Sequence, residues 1–293
     1  MRVLTALALI VLAAPGGHTV QPPNGGRTGL PPQRIASLAP SVTEILFALG
    51  LGRRVAGVTT FCRYPPDALR VPKIGGYLTP SYEALAIVHP DLAILLPEHD
   101  DVRSSIQALA IPVLRVDHSS VARILDSVTA IGERCGVADR AARLRGELQA
   151  QIDEVARAVA GRRPPRVVVC VARNADSDGF RSMSAAAPGG IYHDLIRRGG
   201  GINAVPAGPI LHPSLSAEAL LQLDPDVIVE FAPGGQADRL RASWRSLSSL
   251  RAVHAGRVYV FTHDFLPVPG LRLIRFVGEL ARALHPDASW RRP

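Results

Sequence analysis

One internal correspondence limits what this chain can fold into. The segments Ser81-Tyr82-Glu83-Ala84-Leu85 and Ser216-Ala217-Glu218-Ala219-Leu220 match in pattern, and so do Pro90-Asp91 and Pro225-Asp226. Glu218 follows Glu83 by the same 135 positions that separate Pro225 from Pro90. In each copy a serine precedes a helical pattern, Pro-Asp closes it, and an apolar run follows: Leu92-Ala93-Ile94-Leu95 and Val227-Ile228-Val229. The hydroxyl can take a free N–H of the first turn, and the glutamate complements the helix dipole there. Two similar halves imply a cleft between them, and clefts between domains are where small ligands bind.

Between the copies lies a segment of another kind. From Val137 to Gly161, Leu144, Leu148, Ile152, Val155 and Val159 recur at spacings of three and four, so one helical face is apolar. Helix-favouring Ala, Arg, Glu and Gln fill the rest. Its length and mid-chain position predict a connector, residues 137–161, between an N-terminal lobe, 34–136, and a C-terminal lobe, 162–293. Within the lobes short apolar runs alternate with helical patterns, the signature of α/β architecture. Strands are expected at Arg34–Ala39, Val55–Thr60, Leu92–Leu96, Val113–Asp117, Arg166–Val171, Val227–Phe231 and Val258–Thr262. A helix is expected over Ile191–Arg198, and Ser41 with Glu44 reads as a capping box opening another.

Residues 1–33 read as an export signal and tether. Arg2 precedes the apolar run Val3–Ala14, which is too short to span a bilayer but has the size of a signal-peptide core. Pro and Gly are frequent from Pro15 to Gln33. No cysteine follows for lipid attachment, so the expectation is a periplasmic or otherwise extracytoplasmic protein without a lipoprotein anchor.

Other classes lack support. The net charge is +8 and Lys73 is the only lysine, but the arginines are scattered rather than clustered with aromatics, which argues against nucleic acid. No G-x-G-x-x-G follows a strand, and there is no Walker loop, G-x-S-x-G or H-E-x-x-H, so no enzyme is expected. Cys62, Cys135 and Cys170 show no metal-ligand spacing. Cys170, inside Val167–Val171, reads as core, and one disulfide with a thiol left over stays open.

The stretch from Arg34 to Gly50 (Arg-Ile-Ala-Ser-Leu-Ala-Pro-Ser-Val-Thr-Glu-Ile-Leu-Phe-Ala-Leu-Gly) resembles the opening of the vitamin B12-binding and ferric-siderophore-binding proteins of ABC importers. The resemblance continues through Gly57–Pro66, Lys73–Tyr77, Pro80–Glu83 and His89–Leu92, then Leu195–Asn203, Leu215–Glu218 and Asp224–Val227. It covers Arg34 to Pro286 and is closest to the B12-binding branch. It implies an α/β fold of two Rossmann-like lobes bridged by one long backbone helix. It also implies capture of a metal chelate, a cobalamin or other corrinoid, a ferric siderophore or heme, for delivery to a permease dimer with its ATPase. The protein would be a monomer with no intrinsic cofactor, its cargo containing cobalt or iron.

The resemblance assigns residues as well. Glu83 and Glu218 match the glutamates that pair with permease arginines. Tyr77 and His212, each six residues before its glutamate, match the aromatic cleft positions. Tyr77 suits a wall that stacks on a flat chelate. His212 stands where the branch carries tryptophan, which makes it a candidate ligand to the chelated metal or a hydrogen-bonding partner for an acidic periphery. Asp264 matches a polar cleft position. Phe61, Glu98 and His99 follow expected strands and, with Phe265, complete the candidate lining. Two other readings stay open: a receptor for a bare transition metal using His99, His212, His263 and Asp264, and a hydrolase-like enzyme built on the same cleft.

Overall fold

The computed structural model describes residues 30–176, 179–288 and 290; the signal-peptide reading lies outside them. The N-terminal half runs β1 (Ile35–Ser37), α1 (Pro40–Ala48), β2 (Val55–Val58), α2 (Tyr82–Val88), β3 (Leu92–Leu95), α3 (Asp100–Ala108), β4 (Val113–Arg115) and α4 (Val121–Arg134). Then comes α5 (Ala138–Val159). The C-terminal half runs β5 (Arg166–Asp176), β6 (Gly179–Ala185), α6 (Ile191–Arg198), β7 (Ile202–Asn203), β8 (Ser214–Ser216), α7 (Ala217–Leu223), β9 (Val227–Phe231), α8 (Ala237–Ser243), α9 (Arg251–His254), β10 (Val258–Phe261) and α10 (Leu271–Leu284).

Two separate sheets result. The first is wholly parallel, in the order β2-β1-β3-β4. The second has the order β10-β9-β5-β6-β8, with β7 beside β5. Its β10-β9-β5 part is parallel, and β6 and β8 join antiparallel. That antiparallel extension carries no alternating apolar pattern strong enough to be read in advance.

The internal repeat is a repeat of hydrogen bonds. Ser81 caps α2 by accepting from Ala84 N at 3.1 Å, and Ser216 caps α7 by accepting from Ala219 N at 3.3 Å. Both helices end on a left-handed residue, His89 (φ 42°) and Asp224 (φ 37°), which turns the chain back into the sheet. Asp91 then accepts from Arg34 N at 2.9 Å, and Asp226 accepts from Arg166 N at 2.8 Å. Arg34 and Arg166 in turn donate to the last helical carbonyls, Val88 O at 2.6 Å and Leu223 O at 2.8 Å. The aspartate thus fixes where two parallel strands start relative to each other in each half.

The helix α5 buries Ala141, Leu144, Leu148, Ile152 and Val155. These belong to one apolar cluster that also holds Ile124, Val128 and Ile131 of α4 and Ile274, Val277 and Leu280 of α10. Glu44 corrects one expectation: α1 starts at Pro40 with Ala39 as its cap and no side-chain capping bond. Ser41 instead bonds His118 Nδ1 at 2.7 Å, and burial pushes this imidazole down to about 4. All three cysteines are buried and free, which removes the disulfide alternative.

Leu148 is fully buried where both halves meet α5, whereas Glu147 is exposed. Leu148→Ala is expected to cost about 2–5 kcal/mol of unfolding free energy. Glu147→Ala is expected to stay within about 0.5 kcal/mol. Urea denaturation of both variants checks this, and equal small effects would contradict a core shared through α5.

Candidate functional site

The carboxyl ends of parallel strands open toward loops, and in open α/β sheets ligands bind outside those ends. The loops after β1 and β2 in one half and after β10 in the other meet there. Together they enclose a pocket of about 140 Å³ lined by Pro40, Glu44, Phe61, Arg63, Tyr64, Asp264, Val268 and Arg272. Both halves contribute, so this is a pocket of the interlobe cleft.

Its floor is an ion pair joining residues 228 positions apart. Arg272 donates from Nε and Nη2 to Glu44 Oε1 at 2.9 and 2.8 Å. Its Nη1 donates to Asp264 Oδ1 at 3.0 Å. The two carboxylates differ in setting: the Glu44 side chain is 3% exposed and that of Asp264 77%. Burial raises the Glu44 carboxyl above its ordinary range and outweighs the pull of Arg272. Gly270 is required beside it, since a Cβ there would lie 2.7 Å from Glu44 Oε2. The Arg272 guanidinium also lies over the Tyr64 ring at 4.0 Å and near Phe265 at 5.2 Å, an arrangement that favours a cation.

The anticipated residues fall into three groups. Phe61 (58% exposed) and Asp264 line the pocket, and Phe265 packs beside its arginine. Tyr77 lies in the N-terminal half with its ring edge-on to His99 at 4.8 Å. Burial, helped by the Glu98 charge, pushes the Tyr77 phenol up to about 12, so it is neutral at pH 7. His212 lies in the C-terminal half, exposed, 5.8 Å from the Tyr192 ring. Neither Tyr77 nor His212 lines the 140 Å³ pocket.

The histidines are distinguished by what their nitrogens already do. His99 is 1% exposed; its Nδ1 accepts from Leu96 N at 3.0 Å and its Nε2 reaches Tyr77 O at 2.9 Å. That corrects its assignment as a ligand contact: both nitrogens hold the backbone behind Tyr77. His263 is bonded to Glu279 at 3.0 Å and stacked on Phe265. His212 has no ring hydrogen bond among the described residues, and burial lowers its pKa, leaving a neutral ring with a free lone pair. The bare-metal set therefore does not assemble, and among the described residues no three His, Cys, Asp or Glu side chains are grouped to hold an ion.

Glu83 and Glu218 are exposed in the first turns of α2 and α7, and neither forms a salt bridge among the described residues. The Ser216 hydroxyl and the backbone hold the Glu218 carboxyl below its ordinary range. Sequence reasoning missed Glu44, Arg63, Tyr64 and Arg272. Glu44 was visible but had a local explanation, and nothing in a linear pattern joins it to Arg272.

A family model described as periplasmic binding protein matches residues 35–264. An uncharacterized ABC transporter substrate-binding lipoprotein of Bacillus subtilis is 29% identical over 265 residues, 87% of this chain and 81% of its own. A vitamin B12-binding protein of Vibrio cholerae is 23% identical, covering 87% of this chain and 90% of its own. Among solved structures, a periplasmic heme-binding protein in complex with two hemes aligns with a TM-score of 0.74 and 27% identity, over 86% of this chain and 98% of that one. No helix among the described residues is long and apolar enough to cross a membrane.

Removing Arg272 would leave Glu44 buried without its counter-charge. Arg272→Met is expected to cost about 3–5 kcal/mol, and Arg272→Met with Glu44→Leu to recover most of that loss. Asp264→Asn, at the exposed end of the same network, is expected to cost under about 1 kcal/mol. Denaturation of the three variants checks the ordering; near-additive losses in the double variant would show the pair to be uncoupled.

Proposed function

Because the chain belongs to the periplasmic binding protein family, we propose that it captures a flat metal chelate in its interlobe cleft and hands it to an ABC importer. It acts outside the cytoplasm, as a binding protein and not a catalyst. The observation that carries this reading is the make-up of the cleft pocket: exposed Phe61 and Tyr64 beside two arginines, contributed by both halves. Aromatic faces stack on a planar macrocycle. Arg63, which has no hydrogen bond or ion pair among the described residues, and the Arg272 Nη1 now held by exposed Asp264 suit acidic groups at its edge.

An iron or cobalt chelate with carboxylate arms, of the heme type, fits both features. Tyr77 supplies a further wall from the N-terminal half. His212 supplies an imidazole from the C-terminal half whose free nitrogen suits an open metal coordination site. A corrinoid is the second reading, supported by the Vibrio cholerae relative named for vitamin B12. Phe265 backs the arginine rather than facing the ligand.

Visible titrations with heme, cobalamin, cobinamide and a ferric catecholate decide among these. Heme is expected to bind most tightly. Tyr77→Ala is expected to weaken it by about fivefold or more through the lost stacking wall. His212→Ala is expected to shift the visible spectrum as well as the affinity. An unchanged spectrum would leave His212 without a role at the metal, and tight binding in both variants would move the site elsewhere.

Glu83 and Glu218 belong to delivery. Equivalent positions on the two halves allow both to meet a permease dimer whose docking residues are cationic. The double variant Glu83→Lys, Glu218→Lys is expected to bind ligand like wild type and to lose stimulation of the importer's ATPase. Intact stimulation would overturn the docking assignment.

A further inference from the structure

A second pocket among the described residues lies outside the cleft. It has a volume of about 430 Å³ and is lined by Arg162, Arg163, Pro165, Arg257, Leu284, His285, Pro286 and Asp287. Pro165 lies just before β5, Arg257 just before β10, and Leu284 ends α10. The pocket therefore sits at the amino ends of the parallel strands of the second sheet. Glu218 opens α7, which leads back into β9, so the docking glutamate lies at the opposite edge of that sheet. The pocket is remote from both the cleft and the docking face.

Three guanidinium groups face one carboxylate here. Part of their hydrogen bonding is structural. Arg162 donates to Ala158 O at 3.2 Å and to Asp287 O at 3.3 Å, and Arg257 donates to Leu284 O at 2.7 Å. These bonds close the carboxyl ends of α5 and α10, where cations are favoured. They do not use the whole set. Arg257 Nε is buried with no partner among the described residues, which is uncommon for a buried donor. The Arg163 side chain, exposed at the rim, has no hydrogen bond or ion pair among the described residues. His285 is tied to Gly200 O at 3.1 Å. Its pKa is lowered, by burial first and then by the Arg162 and Arg257 charges, so it adds no positive charge at pH 7. With three arginines and one aspartate in its lining, the pocket keeps an excess of two cations.

We infer that this pocket is a second binding site, for a small molecule that presents an oxyanion, phosphate or carboxylate, to Arg163 and Arg257. Arginine's planar fork matches both groups in bidentate fashion. The volume lies within the range of small-molecule sites and far exceeds what a lone ion fills. Inorganic phosphate and citrate are the probes, titrated by calorimetry into the full-length protein at ionic strength held constant with chloride. Saturable binding of at least one is expected, and the stronger of the two identifies the oxyanion. Arg163 makes no hydrogen bond or ion pair among the described residues, so Arg163→Glu is expected to keep the fold, which circular dichroism checks. It is expected to weaken that binding by about tenfold or more, while the heme titration stays at the wild-type value. No saturable heat with either probe, or binding that Arg163→Glu retains, would overturn the assignment.

Discussion

The two halves of this protein are held in place by an apolar core that neither owns. Leu144, Leu148, Ile152 and Val155 of α5 are buried in the same cluster as Ile35, Val42 and Leu92 of the first half and Val167, Val229 and Phe276 of the second. Burial of apolar surface at about 25 cal/mol per Å² makes separation of the halves costly, and a continuous 22-residue helix has no loop to absorb a large hinge rotation. A pocket lined by side chains from two sheets keeps its shape only if the sheets keep their relation.

The polar contacts across the cleft act within the same frame. Asp194 accepts from Val121 N at 2.9 Å, tying the start of α4 to α6. Glu44 and Arg272 tie α1 to α10. A buried ion pair such as Glu44–Arg272 recovers little net free energy after desolvation, but losing one member is expensive. The polar contacts specify how the halves are set against each other, while the core beneath supplies the stability.

What could be read in the sequence was what has a period or a local partner. The expected spans of β3, β9, α5 and α6 lie within two residues of those observed, because apolar spacing dictates which face is buried. The Ser-x-Glu starts and the Pro-Asp turns were visible because cap and helix are adjacent in sequence. Long-range pairing was not visible. Ser41 and Glu44 had the right spacing for a capping box, yet Ser41 bonds His118 and Glu44 bonds Arg272. The local rule lost to two tertiary partners that no linear pattern announces. His99 likewise has partners that no linear pattern announces: both ring nitrogens are taken by backbone groups.

The asymmetry around Arg272 bears on how a closed floor admits an acidic ligand. Arg272 is shared between Glu44 and Asp264, whereas Arg63 in the same pocket forms no ion pair among the described residues. For Arg272 to take an incoming carboxylate, one of its two partners has to give way. Glu44 cannot, since it is buried and holds two of the guanidinium donors, and breaking the pair would strand its charge in a low-dielectric site. Asp264 can, because an exposed ion pair is worth at most about 1 kcal/mol and its side chain returns to water without penalty. The buried acid thus orients the guanidinium, and the exposed acid holds the Nη1 position that an incoming anion would take.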